Sequence, residues 1–289
     1  MDVSIIIINY NTRQMLANCL NSLYEFTKEI QFEVIVVDNA SKDGSEQYIC
    51  SKFPQIKWIN SGGNVGFGRA NNLGVKYAKG KYLFLLNSDT LLLNNATKAF
   101  YNYAESHIGE RIGVLGCWLY DNEGKPNKSF GEFPSPSSEI RYLFQRFGVS
   151  KNLQHAGIKD VDYIIGADMF IRRDVFDDFE GFDPNFFMYY EETDLQYRMA
   201  QKGYIRRVID TPRIVHLEGG SFSNKGLTFN RFIMSQHSYN YYLSKHYLGI
   251  KYVIYRIILC VIRIMVLFRL SWTWKERTKG YMCVLISER

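Results

Sequence analysis

Residues 3–12 read VSIIIINYNT: a short, unbroken, β-branched apolar run that turns abruptly polar at Asn9. A strand with one face in water would alternate apolar and polar side chains. A run apolar at every position suits a central parallel strand covered by helices on both faces. The same signature recurs outward from it. EVIVVD (33–38), IKWIN (56–60) and KYLFLLN (81–87) are further buried-strand candidates, and IGVLGCWLY (112–120) is extended in character. Between them lie helical patterns at 13–26 (Met15, Leu16, Cys19, Leu20 and Leu23 on one side), from Gly44, at 69–78 and at 95–106. Strands separated by helices predict an α/β fold with a mostly parallel sheet flanked by helices. Residues 121–160 are rich in Asn, Gly, Pro and Ser and read as an excursion from the sheet. Strand character returns at 162–173, then a helix at 193–202 and short strands at 204–209 and 213–217.

Composition narrows the class. With 46% hydrophobic and 22% charged residues over 289 positions, the chain is globular, and disorder, collagen and coiled coil are excluded. Five cysteines, an odd number with no CxxC spacing, argue against a disulfide framework or structural zinc and for a reducing compartment. The start lacks the basic residues and longer apolar region of a signal peptide. The net charge of +6 is unevenly placed: residues 245–280 alone carry +7, which leaves the body near neutral. A neutral body is not a nucleic-acid-binding face, so no nucleic-acid partner is expected.

In open α/β sheets ligands bind beyond the carboxyl ends of the strands. Three polar ends converge there: Asn9–Thr12, Asp38–Ser45 and Asn87–Thr90. Ser41 and Asp43 suit helix capping and turns, whereas Asp38, ending an apolar strand, needs a partner and is read as a ligand contact. The glycine-rich segment 62–74 brings backbone close to a ligand, with Arg69 available to phosphate. Asn87-Ser88-Asp89 places two oxygen-bearing side chains one residue apart, which suits a hard divalent cation shared with substrate phosphates. Glu191-Glu192-Thr193-Asp194 follows the aromatic run 186–190, where burial and like charge raise carboxylate pKa as a general base requires. The same acids would also suit a first helical turn. His216 closes a short strand before Gly219-Gly220 and is a metal-ligand candidate.

Together these segments resemble the family 2 glycosyltransferases, which have the GT-A fold. SIIIINYNT, VIVVDNASKDGS, NVGFGRANNLG, YLFLLNSDT, GADMFIRRDVF, GFDPNFFMYYEETDL and IVHLEGGS carry the resemblance over roughly residues 3–225, and the later ones look most like the bacterial rhamnosyltransferase branch. The resemblance implies an inverting transfer from a nucleoside-diphosphate sugar, such as dTDP-rhamnose, to a hydroxyl of a glycan or lipid-linked glycan in surface polysaccharide synthesis. It implies donor contacts from Asn11, Thr12, Asp38, Asn64, Gly66, Arg69, Asn71, Asn87, Ser88 and Asp89. It also implies a Mg²⁺ or Mn²⁺ held by Asp89 and His216. Glu192 aligns with the catalytic base, with Glu191 and Asp194 as alternatives. The competing classes are a nucleotidyltransferase and a non-catalytic sugar-nucleotide-binding protein. The former would be expected to carry a glycine-rich cationic loop where this chain has NYNT.

Residues 1–225 are thus expected to form the catalytic domain and 226–289 a helical, basic, amphipathic tail. In 247–270, Arg256 and Arg263 lie seven apart on one helical face, and a central Arg disfavours a membrane-spanning helix. A helix lying on the membrane, with an apolar face and an arginine stripe, fits the basic excess. Packing on the domain and a homodimer contact are the alternatives. The expected location is cytoplasmic, peripheral on the inner face of the cell membrane.

Overall fold

The structure is a computed structural model and describes residues 1–146, 157–217 and 228–286. The first half follows the strand–helix alternation: β1 (Val3–Asn9), α1 (Arg13–Phe26), β2 (Phe32–Asp38), α2 (Ser45–Lys52), β3 (Lys57–Asn60), α3 (Phe67–Val75) and β4 (Tyr82–Asn87). β1 lies between β2 and β4, all parallel, with Ile5 opposite Val34 on one side and Phe84 on the other. The unbroken apolar run has a direct cause. Ile5 and Ile7 enter a core shared with α1, while Ile6, between them, enters a second core with Ile35, Val37 and Ala70 on the opposite face. All three are fully buried, which contributes about 1.5–3 kcal/mol per side chain relative to exposure.

The second half continues with β5 (Thr90–Leu92), α4 (Ala96–Ser106), β6 (Ile112–Tyr120), β7 (Phe130–Gly131), α5 (Pro136–Arg146), β8 (Lys159–Asp160), β9 (Tyr163–Ile164), β10 (Asp168–Arg172), α6 (Arg173–Asp178), α7 (Glu191–Gln201) and β11 (Ile205–His216). The main sheet runs β3-β2-β1-β4-β10-β6-β11-β5, with β8 added to β11. β10 is antiparallel to both neighbours and fills the gap between β4 and β6. The two short strands expected at 204–209 and 213–217 are one strand, β11, whose register against β6 shifts between Ile209 and Ile214. The excursion is not featureless: it contains α5, and its β7 pairs with β9 as a small separate sheet.

Three further helices, α8 (Phe229–His246), α9 (Gly249–Arg263) and α10 (Trp274–Leu285), with a 3₁₀ turn at Ile264–Phe268, close the chain. They share a third core built from Tyr239, Tyr242, Tyr255, Leu259, Trp272 and Val284, which takes in Phe186 from the catalytic half. The arginine pair of α9 is turned toward this core, Arg256 wholly and Arg263 in part, a correction to the expected outward stripe. Arg256 is buried; it donates to Asn240 Oδ1 at 2.6 Å and to the Val284 and Leu285 carbonyls at 2.5 and 3.2 Å. Arg263 reaches Glu139 of α5 at 3.5 Å. Those carbonyls end α10, where a cation meets the negative end of the helix dipole. Arg256→Met is therefore expected to lower stability by about 2–4 kcal/mol, because it strands several buried acceptors at once. Chemical denaturation measures this, and a midpoint equal to wild type would remove Arg256 from the list of structural anchors.

Candidate active site

The polar strand ends first satisfy one another. Asn9 Nδ2 donates to Asp38 Oδ1 at 2.8 Å and to Ser41 Oγ at 2.9 Å, and the Ser41 amide donates to Asp38 Oδ2 at 3.1 Å. Asn11 Oδ1 accepts from the Lys42 amide at 2.7 Å, and Thr12 joins Asn9 to Ser88 at 2.8 and 3.0 Å. Asp43 accepts from the Arg13 and Ser45 amides, which open α1 and α2, and so ties the two helix starts together. This network fixes the rim of the sheet, and it occupies Asp38, Asn11 and Thr12.

Beyond the rim lies a cavity of about 850 Å³. Its floor is the end of β4 and the turn after it, with Asn87, Ser88 and Asp89, faced by His216 from β11. One wall carries Tyr10, Asn39, Asn64 and Gly66; the other carries Phe187, Met188, Tyr189, Glu191 and Glu192; α8 adds Asn230, Arg231 and Met234. Of the predicted site residues, the cavity gathers Asn64, Gly66, Asn87, Ser88, Asp89, Glu191, Glu192 and His216. It does not gather Asp38, Asn11 or Thr12, which the rim network holds. Arg69 points elsewhere and donates to the Pro184 carbonyl at 2.5 Å. Asn71 is buried and donates to the Phe67 carbonyl at 3.1 Å. The Gly219-Gly220 pair lies outside the described residues.

Asp89 and His216 meet because β5 and β11 pair antiparallel with Thr90 opposite His216. The Leu217 amide donates to the Asp89 carbonyl at 2.9 Å, and Asp89 Oδ1 lies 3.4 Å from His216 Nε2. Among the described residues no three His, Cys, Asp or Glu side chains group to hold a metal unaided. A carboxylate and an imidazole side by side nevertheless fit a divalent cation that completes its shell with diphosphate oxygens and water. Behind this pair, Asp168 of β10 is fully buried; its Oδ2 accepts from the Cys117 amide at 2.7 Å, while its Oδ1 has no hydrogen-bond partner. Burial pushes its carboxyl up to about 7 against the opposing pull of that amide and of the His216 charge.

The acidic wall is aimed by strain. Tyr189 and Tyr190 are consecutive left-handed residues, with φ of 70° and 68°, immediately before Glu191. Such backbone costs about 1–3 kcal/mol per residue and persists only where neighbours impose it. Here α8 imposes it: Ser238 Oγ donates to the Met188 carbonyl at 2.7 Å, Tyr241 to Asp183 at 3.0 Å, and Arg231 to the Tyr189 hydroxyl at 3.3 Å. The Tyr190 ring packs on Tyr239 at 4.9 Å. Gly66 clamps the same loop from the other wall. Its φ is +88°, and an added Cβ would sit 2.0 Å from the Phe187 carbonyl oxygen, whose partner is the Phe67 amide at 3.1 Å. Gly66→Ala is expected to cost about 2–4 kcal/mol, from the φ and the clash together. Thermal unfolding tests this; an unshifted midpoint would mean the two walls are not locked together here.

Burial raises the pKa of both glutamates. Glu191 is raised well above the ordinary value by burial and then by the charge of Glu192, and its Oε2 has no hydrogen-bond partner; Glu192 is raised chiefly by burial. The charge of Glu192 adds to burial at Glu191, so Glu191 is the harder of the two to ionise. Asp194 is engaged away from the cavity. It is fully buried, and Arg198, Lys245 and His246 bind it at 2.9, 2.8 and 2.7 Å. Burial alone would raise its pKa, but the His246 hydrogen bond and the charges of Arg198 and Lys245 hold it below the usual value. Its place is in anchoring α7 to α8.

The model for glycosyl transferase family 2 matches residues 4–179. The chain belongs to the family 2 glycosyltransferases. Among curated relatives, this glycosyltransferase is 30% identical over 207 residues to the low-salt glycan biosynthesis hexosyltransferase Agl10 of Haloferax volcanii, covering 70% of this chain and 62% of that one. It is 28% identical to the rhamnosyltransferase WbbL of Escherichia coli, covering 74% and 83%. It is 23% identical to the N-acetylglucosaminyl-diphospho-decaprenol L-rhamnosyltransferase of Mycobacterium tuberculosis, covering 73% and 75%. The structure of GalNAc-T7 with UDP, GalNAc and Mn²⁺ superposes with a TM-score of 0.64 at 14% identity, over 97% of this chain and 54% of the other, and shows a shared GT-A fold. Sequence reasoning about this glycosyltransferase missed Tyr10, Asn39 and Arg231. Tyr10 and Asn39 directly follow predicted strands, a signal that was present. Arg231 lies in what reads as the tail, and nothing local marks it.

Proposed function

We propose that this glycosyltransferase moves a sugar from a nucleoside-diphosphate sugar to a glycan or lipid-linked glycan hydroxyl with inversion at C1. The carrying observation is that one cavity holds the Asp89–His216 pair on its floor and the Glu191–Glu192 pair on a wall. The first pair suits the diphosphate and the second the acceptor. Glu192 accepts the acceptor hydroxyl proton as that oxygen bonds to C1. The bond from C1 to the diphosphate oxygen breaks on the opposite face, and the nucleoside diphosphate leaves with the electron pair. Protonated Glu191 keeps negative charge beside the base low, and Phe187 and Tyr189 offer faces on which a sugar ring stacks.

A Mg²⁺ or Mn²⁺ held by Asp89 and His216 would neutralise charge on the departing diphosphate. Two relatives named as rhamnosyltransferases make a nucleotide-activated rhamnose, such as dTDP-rhamnose, the first donor to test. A lipid-linked acceptor would bring the enzyme to the inner face of the cell membrane. A thermal-shift panel of nucleotide sugars, each with and without Mn²⁺, tests donor binding by mass action. A metal-dependent rise with one nucleotide family is expected. No rise with any member, at concentrations that stabilise other nucleotide-sugar enzymes, would sink the reading.

A further inference from the structure

Helix α9 is inside out. Its inner face carries Tyr255, Arg256 and Leu259 into the third core, while Ile250, Val253, Ile254, Ile257 and Val261 recur at helical spacing on the outer face. The stripe continues through Ile264, Met265 and Phe268 to Leu270 and Trp274. Ile250 is 71% exposed, Ile257 59%, Val261 65%, Phe268 66% and Trp274 69%. An unbroken apolar strip of this length is beyond what scattered surface residues explain. Packing of the tail on its own domain does not account for it, because that packing is already made by the opposite face. Among the described residues no helix is long and apolar enough to cross a membrane.

We propose that the outer face of α9, the 3₁₀ turn and the start of α10 is a docking surface for an anionic lipid bilayer. Charge decides between the two apolar occupants. Lys251, Lys275 and Lys279 are exposed along the strip, and the one acid of this region, Glu276, is turned to cap α10 through the Thr273 amide at 2.8 Å. A symmetric dimer through this face would bring each cationic rim against its own copy. A bilayer with anionic headgroups takes the apolar strip into its boundary and pairs the lysines with phosphate. The surface is built on α8, whose first turns wall the cavity: Phe232 of α8 packs on Trp272 at 5.2 Å, while Asn230, Arg231 and Met234 line the cavity. The inference goes beyond the proposed reaction and does not depend on it, since lipid binding is read without turnover.

The test is sedimentation of the full chain with phosphatidylcholine vesicles, with and without about one-third phosphatidylglycerol. The chain is expected to pellet with the anionic vesicles and to be released in part by high salt. Ile257→Glu with Val261→Glu should reduce pelleting about tenfold or more. Lys251→Glu with Lys275→Glu should remove the preference for anionic lipid. Both pairs should keep the wild-type thermal midpoint, since neither touches the third core. A chain that stays in the supernatant with anionic vesicles overturns the proposal, as does equal pelleting of the Ile257/Val261 variant. Sedimentation velocity supplies the remaining arm: a stable dimer that this same variant splits would make a second copy the occupant and overturn the bilayer.

Discussion

Glu192→Gln is expected to lower turnover by about 10²-fold or more while leaving donor affinity unchanged. The substitution keeps the shape of the side chain and removes its capacity to take a proton. The pH profile makes the assignment specific. Burial raises the Glu192 pKa above the usual glutamate value of 4.5. The base works only when ionised, so wild-type turnover should climb as pH rises through that raised value, and the variant should lose this limb. Glu191→Gln should be the milder change, because glutamine reproduces the neutral form that burial already favours there. A dead Glu191→Gln beside an active Glu192→Gln would reverse the two roles.

Asp89→Ala is expected to remove the metal-dependent part of donor binding, a loss of about two orders of magnitude, with the fold intact. Asp89 contributes its side chain to the cavity floor, whereas its backbone carbonyl, which the substitution keeps, makes the bond to the Leu217 amide. His216→Ala should give a partial version of the same loss. The measurement is donor titration by calorimetry with and without Mn²⁺. Unchanged affinity of Asp89→Ala in the presence of metal would count decisively against a metal at this floor.

Much of this was legible before any coordinates. The two-sided burial of β1, β2 and β4 is written in uninterrupted Ile, Val and Leu, because a strand covered on both faces has no polar position to spare. The floor and acidic wall were legible because polar residues ending apolar strands have few explanations. Where the structure adds to the reading, the reasons are physical. Asp38 is read as a ligand contact because a carboxylate ending an apolar strand needs a partner, and the structure gives it two donors at neighbouring strand ends, Asn9 and Ser41. Arg256 and Arg263 were placed outward by the rule that cations face water. The carbonyls ending α10 and the Glu139 carboxylate, far apart in sequence, made the inside the better place. The left-handed tyrosines could not be foreseen, since their conformation is imposed by α8 from some fifty residues away, as in the Ser238–Met188 bond.

The position of β10 has a consequence for the order in which the molecule can be made. β4 and β6 emerge from the ribosome well before the strand that separates them. Until residues 168–172 appear, each presents a naked edge of backbone donors and acceptors to whatever is nearby. A nascent chain paused near residue 130 is then the β3-β2-β1-β4 half of the sheet beside an unpaired β6, whose two neighbours β10 and β11 are both still to be made, and the simplest mispairing is β4 directly onto β6. Synthesis speed and chaperone supply across that window, more than the final stability, would set how much active enzyme a cell obtains.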